Sequence, residues 1–477
     1  MTGNLEFPDF QTSRLSHSLL SALPAAAQLP YSQAALAPIV MPGTTQLNLN
    51  IPDTTKPRVV VVGGGFGAVN FVKSLPGHQY QVVMLSKTNY FGFWPLLYQV
   101  ATAGLESESI GEPLRQLFDG HEDFHFRSVG VDGLDPDQNL VHTAISDLPY
   151  DYLVLATGTK SNYFGNAEIE KNAFSLKDIS EAVDLRNQFL RSFELANLAQ
   201  DPAERQRLLN FVIAGAGPTG VELSGALAQM RDHVLPADYP DLDITKMNIY
   251  LVDGVDRVLP PMSAYASQHA HSYLQELGVQ FKLNQLVDSY DGQTVKLKDG
   301  EVLETRTLIW AAGVTGSLVA GLPDDRVEHG RYLVNHYNMV QGYQNVFAIG
   351  DVALMKTKDY PKGHPQVSPP AMQQGTHLAQ NLARERRGEA WAPFAYLDKG
   401  TLAIVGRSRA VADLPGGFHL GGLLAWITWL TVHIYYLSGF RNKLVVTANW
   451  AYRLFTRQPG TRIILETNNQ RSVRRPA

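Results

Sequence analysis

Two glycine-rich turns, about 150 residues apart, constrain this 477-residue chain more than any other feature. The first follows the run "RVVVV" that starts at Arg58. It reads Gly63-Gly64-Gly65-Phe66-Gly67-Ala68, then "VNFVKSL" at helical spacing, then "YQVVMLS" ending in Ser86. A β-branched run of that kind suits a strand buried on both faces. The pattern predicts strand, turn, helix and strand with G-x-G-x-x-A at the turn. Gly63 permits the tight turn, and Gly65 lets the backbone approach a pyrophosphate. The small Ala68 lets helix pack on strand, while free helix N–H groups face the phosphate charge. The second turn follows "LLNFVIAG" and reads Gly215-Ala216-Gly217-Pro218-Thr219-Gly220. Pro218 suits the first turn of a helix. The return strand "MNIYLVDG" ends in Asp253. An acid there accepts a hydrogen bond from a ribose 2′-OH and repels a 2′-phosphate, which favours NADH over NADPH. The first unit has Ser86 at the equivalent place. The second also carries an acid, Glu222, in its first helical turn. The expected fold class is therefore α/β, with two Rossmann-like dinucleotide-binding domains.

Three later segments bear on what the loops hold. "YDYLVLATG" and "RTLIWAAG" read as strands ending in small-residue turns, Ala156-Thr157-Gly158 and Ala311-Ala312-Gly313. "YQNVFAIGDVA" is a strand ending in Gly350-Asp351. This set resembles the two-dinucleotide-domain flavoprotein reductases. The resemblance implies that the small-residue turns mark crossings between domains and that Asp351 reaches the ribityl chain of a flavin. It makes the first loop an FAD site and the second an NADH site. The expected layout is a poorly ordered extension over 1–57 and an FAD domain over 58–175 and 316–390. An NADH domain over 176–315 and a C-terminal region over 391–477 complete it.

Composition narrows the chemistry. There are no cysteines, so disulfides, thiolate metal sites and a redox dithiol are excluded. No metal site is expected. A net charge of −5 gives no case for nucleic acid. From Ser438 onward the chain carries eight Lys/Arg and one acid, Glu466, which suits an anionic membrane surface. "GGLLAWITWLTVHIYYLSG" (421–439) lacks charged residues and is marginal for crossing a bilayer. The next stretch places Phe440, Leu444, Ala448, Ala451 and Phe455 on one helical stripe, with Lys443, Arg453 and Arg457 away from it. That describes a basic amphipathic helix in a membrane interface.

With "GGGFGA", "NYFGFWPLLYQVATAG", "AGAGPTGVELSGAL", "LVDGVDRVLP", "NVFAIGDVA", "AMQQG" and "LDKGTLAIVGRSRAV" in this order, the chain resembles the type II, non-proton-pumping NADH:quinone oxidoreductases. The resemblance runs from Arg58 to near Ile464. It implies a peripheral membrane flavoenzyme with non-covalent FAD. Such an enzyme takes a hydride from NADH and passes two electrons to a membrane quinone. It sits on the cytoplasmic face of the plasma membrane or on an organellar inner membrane, and a homodimer is left open. The resemblance places Glu222 near the nicotinamide, Gln373 near the quinone and Lys399 near the flavin. Ser368-Pro369 stands where the family has Ala-Gln, and Pro offers no donor. A soluble reductase of a small iron–sulfur protein, or a flavoprotein of the apoptosis-inducing-factor type, also explains both loops. Neither explains the C-terminal run.

Overall fold

The computed structural model describes residues 47–456 and 460–465. The strand Arg58–Val62 pairs in parallel with Gln81–Ser86 on one side and Tyr152–Leu155 on the other. Phe124–Ser128 and Val346–Ala348 complete a five-stranded parallel sheet. Alternate side chains of the valine run feed two cores. Val60 and Val62 enter one cluster, and Val59 and Val61 enter the other. Each buried valine contributes roughly 1.5–3 kcal/mol relative to exposure. The helices Phe66–Ser74 and Ser368–Arg386 cover one face. They cross where Gly375 rests on the carbonyl of Gly67, an approach that any side chain would block.

The second half repeats this plan. Phe174–Ser175, Thr307–Trp310, Asn210–Ala214, Asn248–Asp253 and Gln280–Leu283 form a parallel sheet in that order. Phe211 and Ile213 face one core, and Val212 and Ala214 the other. The strand Phe174–Ser175, at the end of the expected first domain segment, pairs into this sheet. The two crossings between the sheets, Thr159–Ser161 and Val314–Gly316, pair antiparallel with each other.

Part of the stretch 1–57, expected to be poorly ordered, is packed against the first domain. Residues 1–46 lie outside those described. Leu49, however, is buried in the first core, the carbonyls of Leu49 and Asn50 accept from Arg127, and the Pro52 carbonyl accepts from Gln81 at 3.0 Å. These residues form an edge wrapping that alternation alone would not reveal.

A third unit follows. An antiparallel sheet, Thr401–Ile404, Ala410–Leu414 and Phe418–Gly421, leads into the helices Gly422–Tyr436 and Phe440–Thr456. Asp413 locks this unit to the domain of the second parallel sheet. Its carboxylate accepts from the Ser263 N–H at 2.6 Å and from Ser263 Oγ at 2.6 Å, with His419 Nδ1 at 2.7 Å. Ser263 itself caps the helix Ala264–Glu276.

The C-terminal helices bear on one open point and correct one expectation. The first has 15 residues, about 22 Å at 1.5 Å per residue, against a hydrocarbon core of about 30 Å. Among the described residues, no helix is long and apolar enough to cross a membrane. In the second, the stripe Phe440, Leu444, Ala448, Ala451 and Phe455 points outward, with Phe440 78% and Phe455 84% exposed. The opposite face is not a solvated basic one. Asn442 donates to the Gly111 carbonyl at 3.0 Å, Asn449 to Glu106 Oε2 at 2.6 Å and Trp450 to Gln99 Oε1 at 2.8 Å. Arg453 points into the protein beside Gly104, and Arg457 lies outside the described residues. The polar face is inside because the surface it meets is itself polar.

Burial pushes the Asp413 carboxyl up, but the Ser263 and His419 hydrogen bonds outweigh it and hold the group below its ordinary value. A lowered carboxyl stabilises the fold above its unfolded pKa, about 4, and loses that contribution as pH falls through the lowered value. Asp413→Ala is expected to cost about 1–3 kcal/mol near neutral pH. Thermal unfolding should show the difference from wild type shrinking on acidification.

Candidate functional site

The two glycine turns have the same stereochemistry. Gly63 adopts φ +115° and Gly215 φ +110°. A Cβ at Gly63 would strike the carbonyl of Ala156, and one at Gly215 the carbonyl of Ala311. The second glycines differ. At Gly65 and Gly217, no atom lies within 4 Å of where a Cβ would stand. Both cap their helices without a side-chain hydrogen bond, so the first-turn N–H groups face open space. Such a pair of turns fits two pyrophosphates. Pro218 and Thr219 are exposed at the start of the second helix, and Gly220 packs against the turn itself.

The strand-end residues sit where the sequence puts them. Asp253 Oδ2 accepts from the Ala216 N–H at 2.5 Å, and Oδ1 from the Val255 N–H at 3.2 Å. The acid is thus tied to the rim of the second loop. Ser86 is buried at the end of its strand, with Oγ 3.5 Å from Thr88 Oγ1. Phe66 packs edge-on against Phe91 and Phe93, at 5.0 and 5.9 Å between ring centres. Gly67 lies beneath Ile349, and Ala68 is buried.

Polar groups converge where the first crossing meets Gly350-Asp351. The Gly350 N–H donates to Gln374 Oε1 at 2.7 Å, and Gln366 Nε2 donates to the Asp351 carbonyl at 2.9 Å. Lys177 Nζ donates to Thr159 Oγ1 at 2.9 Å. Burial pushes the Asp351 carboxyl up, and the charges of Lys177 and Arg331 only partly offset it. Burial likewise lowers Lys177. The buried Thr157 hydroxyl has no partner among the described residues. A ligand rich in hydroxyls fits this cradle, which tests well for the ribityl end of FAD. Gly158 and Gly313 mark the two crossings. Sequence reasoning missed Lys177 and Gln374. Lys177 precedes an ordinary helix cap, Asp178, and only the crossing topology brings it beside Asp351.

Gln373 and Lys399 come together through one loop, and Glu222 lies apart. Gln373 donates to the Leu397 carbonyl and accepts from the Leu397 N–H, each at 2.9 Å. Lys399 Nζ donates to the Tyr436 hydroxyl at 2.9 Å. Ser368 and Pro369 open the helix that carries Gln373. Glu222 is buried and accepts from the Ile404 N–H at 3.3 Å. It lines a cavity with Tyr98, Trp429 and Arg453. Trp429 Nε1 approaches its carboxyl without a hydrogen bond of normal geometry. Burial pushes Glu222 up to about 8, which these neighbours only partly offset. Trp429 stacks on His433 at 3.7 Å, and burial pushes His433 down to about 4. Trp429 and His433 were read from the sequence only as parts of an apolar run.

With this geometry in hand, comparisons with known proteins converge. The pyridine nucleotide-disulphide oxidoreductase model matches residues 57–375, and the NDH2 C-terminal domain model matches residues 399–458. The type II NADH:quinone oxidoreductase Ndh of Mycobacterium tuberculosis is 35% identical over 424 residues, covering 84% of this chain and 89% of that protein. The mitochondrial external alternative NADH-ubiquinone oxidoreductase of Yarrowia lipolytica is 28% identical, covering 83% and 79%. The structure of NDH2 from Plasmodium falciparum in complex with NADH superposes with a TM-score of 0.80 at 20% identity. It covers 86% of this chain and all of that one, a match in fold. The chain belongs to the pyridine nucleotide-disulphide oxidoreductases and, within them, to the type II NADH:quinone oxidoreductases. It is an oxidoreductase that works with FAD and NADH.

A buried acid whose folded value lies above its unfolded one stabilises the fold at low pH and loses that contribution as pH rises through the folded value. For Glu222 that window runs from about 4.5 to about 8. Glu222→Gln should remove this slope. Its melting temperature should exceed that of wild type at about pH 8.5 and approach it near pH 5.

Proposed function

We propose that this chain is a peripheral membrane enzyme. It transfers a hydride from NADH to FAD and two electrons onward to a membrane quinone, without pumping protons. The observation that carries the reading is one rigid arrangement. Two glycine turns end strands in two parallel sheets joined by paired crossings, and a C-terminal unit turns an apolar stripe outward. When bound, FAD supplies the hydride acceptance and the electron delivery. The chain's residues bind, orient and shield. Gly63 and Gly65 cradle the flavin pyrophosphate, and Asp351, Thr157 and Lys177 hold its ribityl chain. Gly217 and Gly220 hold the NADH pyrophosphate, and Asp253 selects its ribose. Glu222 fixes the depth at which the nicotinamide settles. The double hydrogen bond between Gln373 and Leu397 fixes the loop that presents Lys399, on the side from which quinone enters. Ser368-Pro369 leaves that entrance without the amide of an Ala-Gln pair.

The exposed Phe440, Leu444 and Phe455, with Leu424 and Tyr435 on the preceding helix, form the membrane face. The protein docks on the NADH-containing side, the cytoplasmic face of a plasma membrane. A soluble reductase of an iron–sulfur protein would need no such face. The match to the NDH2 C-terminal domain over 399–458 also speaks against it.

The test is anaerobic. NADH should bleach the flavin of the purified protein, and a short-chain quinone should restore its colour. Bleaching without restoration would overturn the proposal. Asp253→Ala should raise the NADH KM roughly tenfold and narrow the preference over NADPH. The pair Leu444→Glu and Phe455→Glu should release the protein from sedimenting phospholipid vesicles while FAD stays bound.

A further inference from the structure

A cavity of about 110 Å³ lies between the helix Pro218–His233, the strand end at Ile404 and both C-terminal helices. Its walls combine Tyr98, Trp426, Trp429 and Trp450 with the guanidinium groups of Arg407 and Arg453. The balance of donors and acceptors is lopsided. Arg453 makes no hydrogen bond or ion pair among the described residues, and Arg407 is a like charge beside it. Arg407 spends one donor on the Leu454 carbonyl. Trp429 Nε1 is buried and faces the Glu222 carboxyl. Glu222, the one acid in the lining, is largely uncharged at neutral pH and does not neutralise the pair. Two neighbouring cations without an ionised acid beside them call for an anion from outside the chain.

We propose that this cavity seats the phosphate headgroup of an anionic membrane lipid, with Arg453 and Arg407 on the phosphate oxygens. Guanidinium forks match phosphate oxygens in pairs. The volume admits a headgroup of a few heavy atoms rather than a whole amphiphile. The acyl chains then lie outside, along the helices whose outward residues include Leu424, Ile427 and Leu454. Tryptophans at the level of lipid headgroups are the usual furnishing of a membrane interface. The choice of a lipid over free phosphate rests on the membrane reading above. The cavity adds what that reading lacked, a specific headgroup contact in place of a diffuse basic face. Gly104 holds the geometry, because Arg453 Nη1 occupies the space a side chain there would need.

The test uses the full-length, flavin-loaded protein and a soluble probe, decyl phosphate. Three of the chain's six tryptophans line the cavity, so their fluorescence reports occupancy. Decyl phosphate should give a saturable, one-to-one change, and inorganic phosphate at the same concentration almost none. Arg453→Met should weaken binding about tenfold or more, and Arg453→Lys less. Gly104→Ala, which displaces the guanidinium without removing it, should weaken binding as well. Retained flavin absorbance certifies each variant as folded. Unchanged affinity in folded Arg453→Met would overturn the site, and equal binding of inorganic phosphate would overturn the lipid as its ligand. Sedimentation with uncharged phosphatidylcholine vesicles, run in parallel, tests the apolar face alone. Its failure beside intact decyl phosphate binding would strike the membrane reading and leave a phosphate-ester site.

Discussion

The structure depends on a contact between two main-chain turns, made twice. In the two sheets the strands Arg58–Val62 and Asn210–Ala214 each run into a glycine whose positive φ lets it lie directly on the carbonyl that follows the neighbouring strand, Ala156 in one case and Ala311 in the other. That neighbouring strand then leaves the sheet as a crossing to the other domain, and the two crossings pair with each other. One steric demand therefore sets two things together. It shapes each glycine turn and aims each crossing. A side chain at either glycine would not merely crowd a ligand. It would part the strands from which the other domain departs.

The third unit shares a buried apolar core with the second domain, Val411 and Trp429 packing in one cluster with Leu227, Ala266 and Leu274, and polar contacts add to that joint. Asp413 reaches Ser263, Glu222 accepts from Ile404, and the inner side of the last helix offers Asn442, Asn449 and Trp450 to acceptors on the body. Hydrogen bonds specify position more sharply than apolar packing does. Such bonds fix the register of a joint whose core is apolar, while Phe440, Leu444 and Phe455 stay outside it.

Much of this was legible in the sequence, for identifiable reasons. The valine run, the two glycine turns and Asp253 obey local rules of strand burial and turn geometry, so a short window contains all the information. The outward stripe from Phe440 to Phe455 also follows from helical period alone. What the other face of that helix meets does not, because it is decided by Gln99, Glu106 and Gly111, more than 300 residues earlier. Arg453 therefore read as a surface charge when it is an inward one. Lys177 and Gln374 were invisible for the same reason, since their partners come from other segments. The length of the first C-terminal helix was obscured by its composition. The apolar run continues beyond Tyr436, but the helix does not.

The last helix is turned inside out relative to an ordinary surface helix, with amides inward and phenylalanines outward. A lipid or detergent surface that covered the stripe and bound the folded chain more tightly than the unfolded one would act thermodynamically as a ligand of folding. Melting temperatures measured at different amphiphile concentrations would then belong to different equilibria.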